Sequence, residues 1–560
     1  MNNKALPYKI LTLAPFAPMP DQKVIPNFIS VDINSIDDAV NAISPVLHIP
    51  ISGNGGNRGS VTLEFHKIRD FSPRELTGKL PKFHQSPSAA AMPAMTQNEG
   101  LADRAVNEIL SRSQGSESPQ DSTIDDILSM VDITETGAND EYQSERESRE
   151  EKSSSKKIQG DTTGHPAIKH IFSDPVFRKI ESAWRGLHIM TKRAAVKGSW
   201  PVEISISCIP HNPAGSSTVI DGVLDGVKNM AHDKMPNLVL MDMGIDNTIP
   251  CLEILEQIIH FADTMMVPVV LSINPNFFHI DKWNDLSKLP YLRHHIDDAS
   301  HAGFKKLKSA PGAEWTMLCA NGIAVRPPHP WEDGSLFVSP VWAVGTLCAK
   351  AVTATGWPME FTRYNHFQIV DLATDLNNGK YAASTCTLIS DDRLRQFNEI
   401  GITPVAGVKN RDVAFIPMES SLTGGTIKFQ MFMNRIIECL VNARESAKND
   451  AAKPSDTAQI IDKALSDCFV NSGQQLPGNL RVEHLPANED EGKSPVRSQI
   501  ENPVLNESNA LTSSENDSPD RSQRDSLTPS QKRDEIFHIS FKPPEGIMAG
   551  SSVIEFTFIW

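Results

Sequence analysis

The stretch Asp174-Pro175-Val176-Phe177-Arg178-Lys179-Ile180-Glu181-Ser182-Ala183-Trp184-Arg185-Gly186-Leu187 decides how the rest of the chain reads. Phe177, Ile180, Trp184 and Leu187 fall at offsets 0, 3, 7 and 10, which is one apolar face of a helix. Asp174 stands where a cap belongs. Pro175 takes the first helical position, where its missing N–H is harmless. Gly186 leaves room for another helix to approach. These residue types hold a fold together; they carry no reaction.

Working outward, strand and helix patterns alternate. Residues 202–208 read as a strand. Leu238-Val239-Leu240-Met241-Asp242 is a nearly continuous apolar run, as buried parallel strands are. Residues 250–266 read helical, 267–273 as a second buried strand, 282–308 helical, and 315–320 as a strand. Helices follow at 341–355, 392–400 and 429–443. This alternation predicts an α/β (α+β) fold with a largely parallel central sheet. Upstream, 8–13 and 28–33 have strand character. Residues 36–47 carry a helical stripe, with Ser35 as its cap. Val61, Leu63 and Phe65 alternate as in a half-buried strand. A small α/β module is expected over 1–84, and a larger mixed-sheet domain over 166–471. At the other end, 536–541 and 553–560 form a strand pair, a β-hairpin arm over 534–560. A lone hairpin is marginal in water, so it must find another sheet.

Two polar stretches, 85–165 and 472–533, separate these blocks and read as disordered linkers. They explain why only 39% of the 560 residues are hydrophobic. Inside the first, Ile124, Ile127, Leu128 and Val131 follow the i, i+3, i+4, i+7 pattern. A short isolated helix is unstable alone. It either docks in a partner's groove or packs on its own domain. The net charge of −16 argues against binding to a phosphate backbone. No apolar run is long enough to span a membrane, and residues 10–17, broken by Pro15, read as a strand rather than a leader. The seven cysteines lack CxxC spacing and are expected to be free buried thiols in a reducing compartment, the cytoplasm.

Chemistry-bearing motifs are scarce. Gly492-Lys493-Ser494 lacks the upstream glycine of a phosphate loop. The glycine-rich run at 53–59 fits a hairpin loop better than a dinucleotide site. His294, Asp298 and His301 would share a helix face and could hold a divalent ion, although a solvated face needs none. Asp391 and Asp392 suit a helix N-terminus. No catalytic residue, cofactor or metal is expected, and the chain reads as a structural protein rather than an enzyme.

The opening stretch resembles the DPxFxxLExxWRGL signature of the large subunit of the type VI secretion contractile sheath. Asp174, Pro175, Phe177, Glu181, Trp184, Arg185, Gly186 and Leu187 carry that likeness. Leu289-Pro290-Tyr291, Trp342-Ala343-Val344-Gly345 and the stretch from Phe397 to Val405 follow in the family's order. Val31-Asp32-Ile33, Leu63-Glu64-Phe65 and Asp70-Phe71-Ser72-Pro73 resemble the family's small subunit. The resemblance implies both subunits fused in one chain, which polymerises helically around an Hcp-like inner tube, engages a baseplate and contracts. It implies that Ile124, Asp125, Ile127, Leu128 and Val131 form the helix recognised by a ClpV-like AAA+ unfoldase. It further implies that Val553, Ile554, Phe556 and Phe558 belong to a strand exchanged between subunits. Neither nucleic acid nor membrane insertion is implied. The alternatives are a sheath-derived cap or baseplate adaptor, or a metal-dependent α/β enzyme using the 294–301 cluster. The fusion, the long second linker and Ile402 in place of the usual aromatic depart from the family pattern.

Overall fold

The structure is a computed structural model. It describes residues 6–19, 26–52, 58–80, 166–194, 200–212, 216–377, 381–447, 454–485, 535–548, 550 and 552–560. In chain order the strands used below are β1 (Tyr8–Ala14), β2 (Ile29–Val31), β3 (Val46–Ser52), β4 (Arg58–Glu64), β5 (Val202–Cys208), β6 (Leu238–Ile245), β7 (Val269–Ile273), β8 (Thr316–Ala320), β9 (Ile323–Arg326), β10 (Leu336–Val338), β11 (Ile402–Pro404), β12 (Gly478–Leu485), β13 (Ile536–Lys542) and β14 (Ile554–Ile559). The helices are α1 (Ile36–Ile43), α2 (Pro73–Lys79), α3 (Pro166–Ser173), α4 (Pro175–Ala194), α5 (Ser217–Lys228), α6 (Ile249–Met265), α7 (Leu292–Asp297), α8 (Ala302–Lys308), α9 (Val341–Thr355), α10 (Asp391–Glu399), α11 (Ile427–Ala447) and α12 (Pro454–Asn471).

A seven-stranded sheet in the order β11-β8-β7-β6-β1-β5-β2 forms the centre. All its pairings are parallel except that of β2 with β5, at the edge. The expected α/β class with a largely parallel sheet is what the chain adopts. All seven residues of β1 are buried. Its register sets Tyr8 opposite Val202 and Ile10 opposite Leu238. The two strands that flank it therefore come from the distant second block.

This corrects the expected division at residue 84. Residues 6–79 and the described residues from 166 onward make one compact unit, not a small module beside a large domain. The reason is that β1 is buried along its whole length, and a strand buried on both faces belongs inside a sheet that is covered on both sides, where neighbouring strands also pair both its edges. Side chains then lock it in. Lys9 Nζ lies 2.7 Å from Glu438 Oε1, and the Lys9 amide donates to Asn237 Oδ1 at 2.8 Å. Arg435 holds the Pro7 carbonyl at 2.9 Å, contacts the Leu6 carbonyl, and pairs with Glu438 at 2.6 Å.

Smaller expectations also change. α1 stops at Ile43, because Ser44 at φ 45° turns the chain out of the helix and Val46 starts β3. Ser35 precedes α1 but makes no side-chain cap bond. β3 and β4 pair antiparallel around residues 53–57, which lie outside the described residues. The helix expected over 282–308 is instead a series of short turns including α7 and α8, broken near Pro290 and Asp298. Two of the seven cysteines are not free: Cys439 of α11 and Cys468 of α12 are bridged, with Cα atoms 6.4 Å apart. Two positions that face each other on packed helices, the buried Cys439 and the partly exposed Cys468, bring thiols together however far apart they are in sequence.

The linker expected from 472 onward begins with structure. Gly478–Leu485 forms β12, so the C-terminal pair is the three-stranded sheet β12-β13-β14. Phe537, Ile539 and Phe541 of β13 turn one buried face toward the helices. The Phe541 ring lies 5.9 Å from Phe469 and 6.3 Å from Phe432, and both of those rings stack on Trp357. In this structure the arm thus lies on α11 and α12 of its own chain.

Candidate functional site

The motif stretch forms α4 with the expected cap: the Phe177 amide donates to Asp174 Oδ1 at 2.8 Å. Phe177, Ile180, Trp184 and Leu187 are all fully buried. Trp184 Nε1 donates to the Phe16 carbonyl at 2.9 Å, and the Phe16 ring lies 4.8 Å from the indole. Gly186 faces Trp342 of α9 so closely that a Cβ there would sit 2.5 Å from the indole. Gly345 of α9 is equally tight against Leu240 of β6. Two glycines therefore set the spacing of α4, α9 and the sheet.

The two motifs that look separate in sequence meet at Phe177. The Phe65 and Phe71 rings stack at 4.2 Å and lie 6.1 and 6.0 Å from Phe177, with Phe172 at 5.1 Å on another side. Asp70 fixes Phe71 by accepting from the His66 and Lys67 amides at 2.9 and 3.2 Å. Burial works to raise the Asp70 pKa, but those amides and Lys79 outweigh it and hold the carboxyl below its ordinary value. Pro73 opens α2, whose Leu76 is buried.

Beside this aromatic cluster lies a buried ionic one. Glu181 is fully buried and accepts from Arg185 Nε at 2.7 Å and Arg326 Nε at 3.0 Å. Arg326 also makes a forked contact to Glu332 at 2.6 and 3.0 Å, and Arg178 stands 3.5 Å from Glu332. Burial opposes ionisation of Glu332, yet Arg326 and the His329 amide prevail and lower its pKa. Arg326 and Glu332 are absent from the sequence reading. A signal exists: Arg326 ends the apolar run Ile323-Ala324-Val325, and a charge on a buried strand needs a counter-charge.

The remaining expected site residues distribute as follows. Ile124, Asp125, Ile127, Leu128 and Val131 lie outside the described residues. Val553 is 47% exposed, Ile554 is buried, and Phe556 and Phe558 are half-buried on β14. Arg444 of α11 lies over the Phe558 ring and donates to the Ile559 carbonyl at 3.2 Å. β12 and β14 each leave one edge of the sheet unpaired among the described residues. The shared face expected for His294, Asp298 and His301 does not form, because α7 ends at Asp297 and Asp298 caps the next turn. Instead His279, His295 and His301 cluster, with rings 5.0–6.0 Å apart. His301 Nε2 bonds the Phe277 carbonyl at 2.9 Å and His295 Nε2 the Phe278 carbonyl at 3.1 Å. Among the described residues no group of His, Cys, Asp or Glu is placed to hold a metal ion. Nor is any described helix long and apolar enough to cross a membrane.

Comparison with known proteins gives one family match. Residues 236–423 match the family described as VipB (EvpB/VC_A0108, tail sheath N-terminal domain). The matched stretch runs from the start of β6 past β11, and includes α9 and Trp342. It does not reach the α4 motif or residues 6–80. No curated protein matches the chain. Among solved structures, a chain of the anti-feeding prophage baseplate, solved by cryo-electron microscopy, is similar at 9% identity and a TM-score of 0.35, over 55% of this chain and 71% of that one. The sheath tail protein Lin1278 from Listeria innocua is similar at 11% identity and a TM-score of 0.32, over 61% of this chain and 59% of its own.

Proposed function

We propose that this chain is a structural protomer of a contractile, type VI secretion-like sheath that polymerises helically around an inner tube and contracts to propel it. The match of residues 236–423 to a tail sheath domain carries this reading. The Asp174–Leu187 signature just upstream supports it independently. The fused small-subunit-like segment, woven into the sheet as β1 and β2, supports a single chain standing in for both subunits.

Protomers meet head to tail, a contact that generates an open helix rather than a closed ring. The unpaired edges of β12 and β14 suit strand addition between neighbours, in which main-chain hydrogen bonds join one protomer to the next. Val553, Ile554, Phe556 and Phe558 take that role once β14 leaves its own α11. Such links stay paired while the bodies they join rotate and slide. An Hcp-like tube fills the lumen, a baseplate seeds assembly, and a ClpV-like AAA+ unfoldase takes hold of the segment 123–131. ATP is consumed by that unfoldase.

The test is negative-stain microscopy of the full chain co-expressed with its tube protein. Helical sheaths are expected. A protein that stays monomeric at every concentration, alone and with the tube, overturns the reading.

A further inference from the structure

The bridge between Cys439 and Cys468 joins the two helices on which the C-terminal sheet lies, α11 and α12, at positions 29 residues apart. Along most of its length α12 is thinly seated. Its buried residues are Thr457, Ile461, Leu465 and Phe469, about one side chain per turn, and one of the four is polar. A helix that docks by packing alone presents a wider apolar stripe. The firm contacts gather at its C-terminal end. There the Phe469 ring lies 5.9 Å from Phe541 of β13 and stacks on Trp357, and Trp357 Nε1 donates to Ser472 Oγ at 2.8 Å. Those contacts seat α12 and its sheet with or without the bridge. The covalent bond limits how often they open.

The bridge is within reach of solutes. Cys439 and Cys468 line a pocket of about 200 Å³ together with Asn442, Ser446, Asp467 and Asn471. Ser446 is exposed and Cys468 partly so, and the pocket meets solvent. Solvent-reachable bridges are the labile and regulatory ones. The other five cysteines are poor competitors. Cys251, Cys319 and Cys348 are buried, and burial pushes the Cys208 and Cys386 thiols up to about 11 and about 12. At neutral pH such groups hold almost no thiolate, the form that exchanges.

We propose that the Cys439–Cys468 bridge is a reversible redox clasp: closed, it holds α12 and the C-terminal sheet on α11, and opened by a small-molecule thiol, it lets that unit lift while the rest of the chain stays folded. A thiolate attacks the Cys468 sulfur, the more exposed of the two. A mixed disulfide forms, and Cys439 leaves as a thiolate and takes up a proton. A second thiolate attacks the small-molecule sulfur of the mixed disulfide and releases Cys468, which is protonated in turn. The pair gains two electrons and two protons, and two thiols become one small-molecule disulfide. Closure is the reverse, with such a disulfide as the oxidant. The clasp does not rest on the sheath reading. Its use there does, because an arm that pairs with a neighbour must first leave its own α11.

Hydrogen–deuterium exchange of the full chain, read by mass spectrometry after treatment with oxidised or with reduced glutathione, tests it. Alkylation is expected to count five free thiols in the first state and seven in the second. On reduction, exchange over residues 454–471 and 536–559 is expected to quicken about tenfold, with α4 and β6 unchanged. Returning the protein to oxidised glutathione is expected to restore the slow rate. Cys468→Ser, at a partly exposed position, is expected to exchange fast in both states. More than five free thiols after oxidised glutathione overturns the proposal. So does a change of less than about twofold over 454–471 on reduction, or a failure to recover the slow rate. Equal quickening of α4 and β6 also overturns it, because the bridge would then hold the whole fold. None of these outcomes depends on whether the chain forms sheaths.

Discussion

The strands at the two ends of the chain, β1 and β14, are similar in length and in apolar content, yet they are held very differently. β1 has a hydrogen-bonded neighbour on each side, seven buried residues, and an ionic clamp from Lys9 and Arg435 to Glu438. Among the described residues β14 has one neighbour, alternating burial and an arginine over its Phe558. The difference teaches that an apolar strand becomes core or attachment according to how many of its faces and edges are occupied. β1 cannot leave without opening the sheet. β14 can leave while the sheet stays closed.

Four substitutions and one pH dependence press on that contrast. The largest effect is expected from Leu11→Asp in β1, which places an unpaired charge in a position now 1% exposed. A loss of about 4–5 kcal/mol is expected, enough to unfold most of the protein in a denaturant titration. A loss under about 1 kcal/mol would show that β1 is no more essential than β14. Next comes Glu181→Ala, which strands Arg185 and Arg326 beside the aromatic cluster, at about 3–5 kcal/mol by the same measurement. Gly186→Ala forces a methyl group against the Trp342 ring, and about 1–3 kcal/mol is expected. By contrast, Phe558→Ala on half-buried β14 is expected to cost about 1 kcal/mol or less. A cost equal to that of Leu11→Asp would erase the distinction between locked and hung strands.

The smallest effect concerns pH. Burial, the nearby His295 and His279 outweigh the bond to the Phe277 carbonyl and hold the His301 pKa below its ordinary value. A histidine depressed in the folded state gives stability that is complete above its unfolded pKa, near 6.5, and fades as pH falls through the window below it. Thermal unfolding is therefore expected to move to lower temperature between about pH 6.5 and 5, and His301→Phe is expected to flatten that slope. An identical slope in the variant refutes the assignment.

Much of this was legible in the sequence where the signal is local. The offsets of Phe177, Ile180, Trp184 and Leu187 give α4, Asp174 and Pro175 give its start, and Gly186 gives its close neighbour. The apolar run of β6 reads correctly as a buried parallel strand. What failed is what pairing and assembly decide. Nothing in Tyr8–Ala14 names Val202 and Leu238 as partners, so a strand of the main sheet reads as part of a separate module. β12 offers Arg481, Glu483 and His484 along a mostly exposed strand, and composition places it in a linker. The Cys439–Cys468 bridge and the His279, His295 and His301 cluster join residues whose spacing follows no motif. Phe177 meets Phe71 across more than a hundred residues, and only packing reveals it.

The place of β1 also sets an order of events during synthesis. Lys9 and its partner Asn237 are 228 positions apart. At ribosomal speeds of ~5–20 residues per second, β1 emerges about ten to fifty seconds before that partner exists. For that interval an apolar strand with two bare edges waits in the open, where a chaperone or another nascent chain can reach it first.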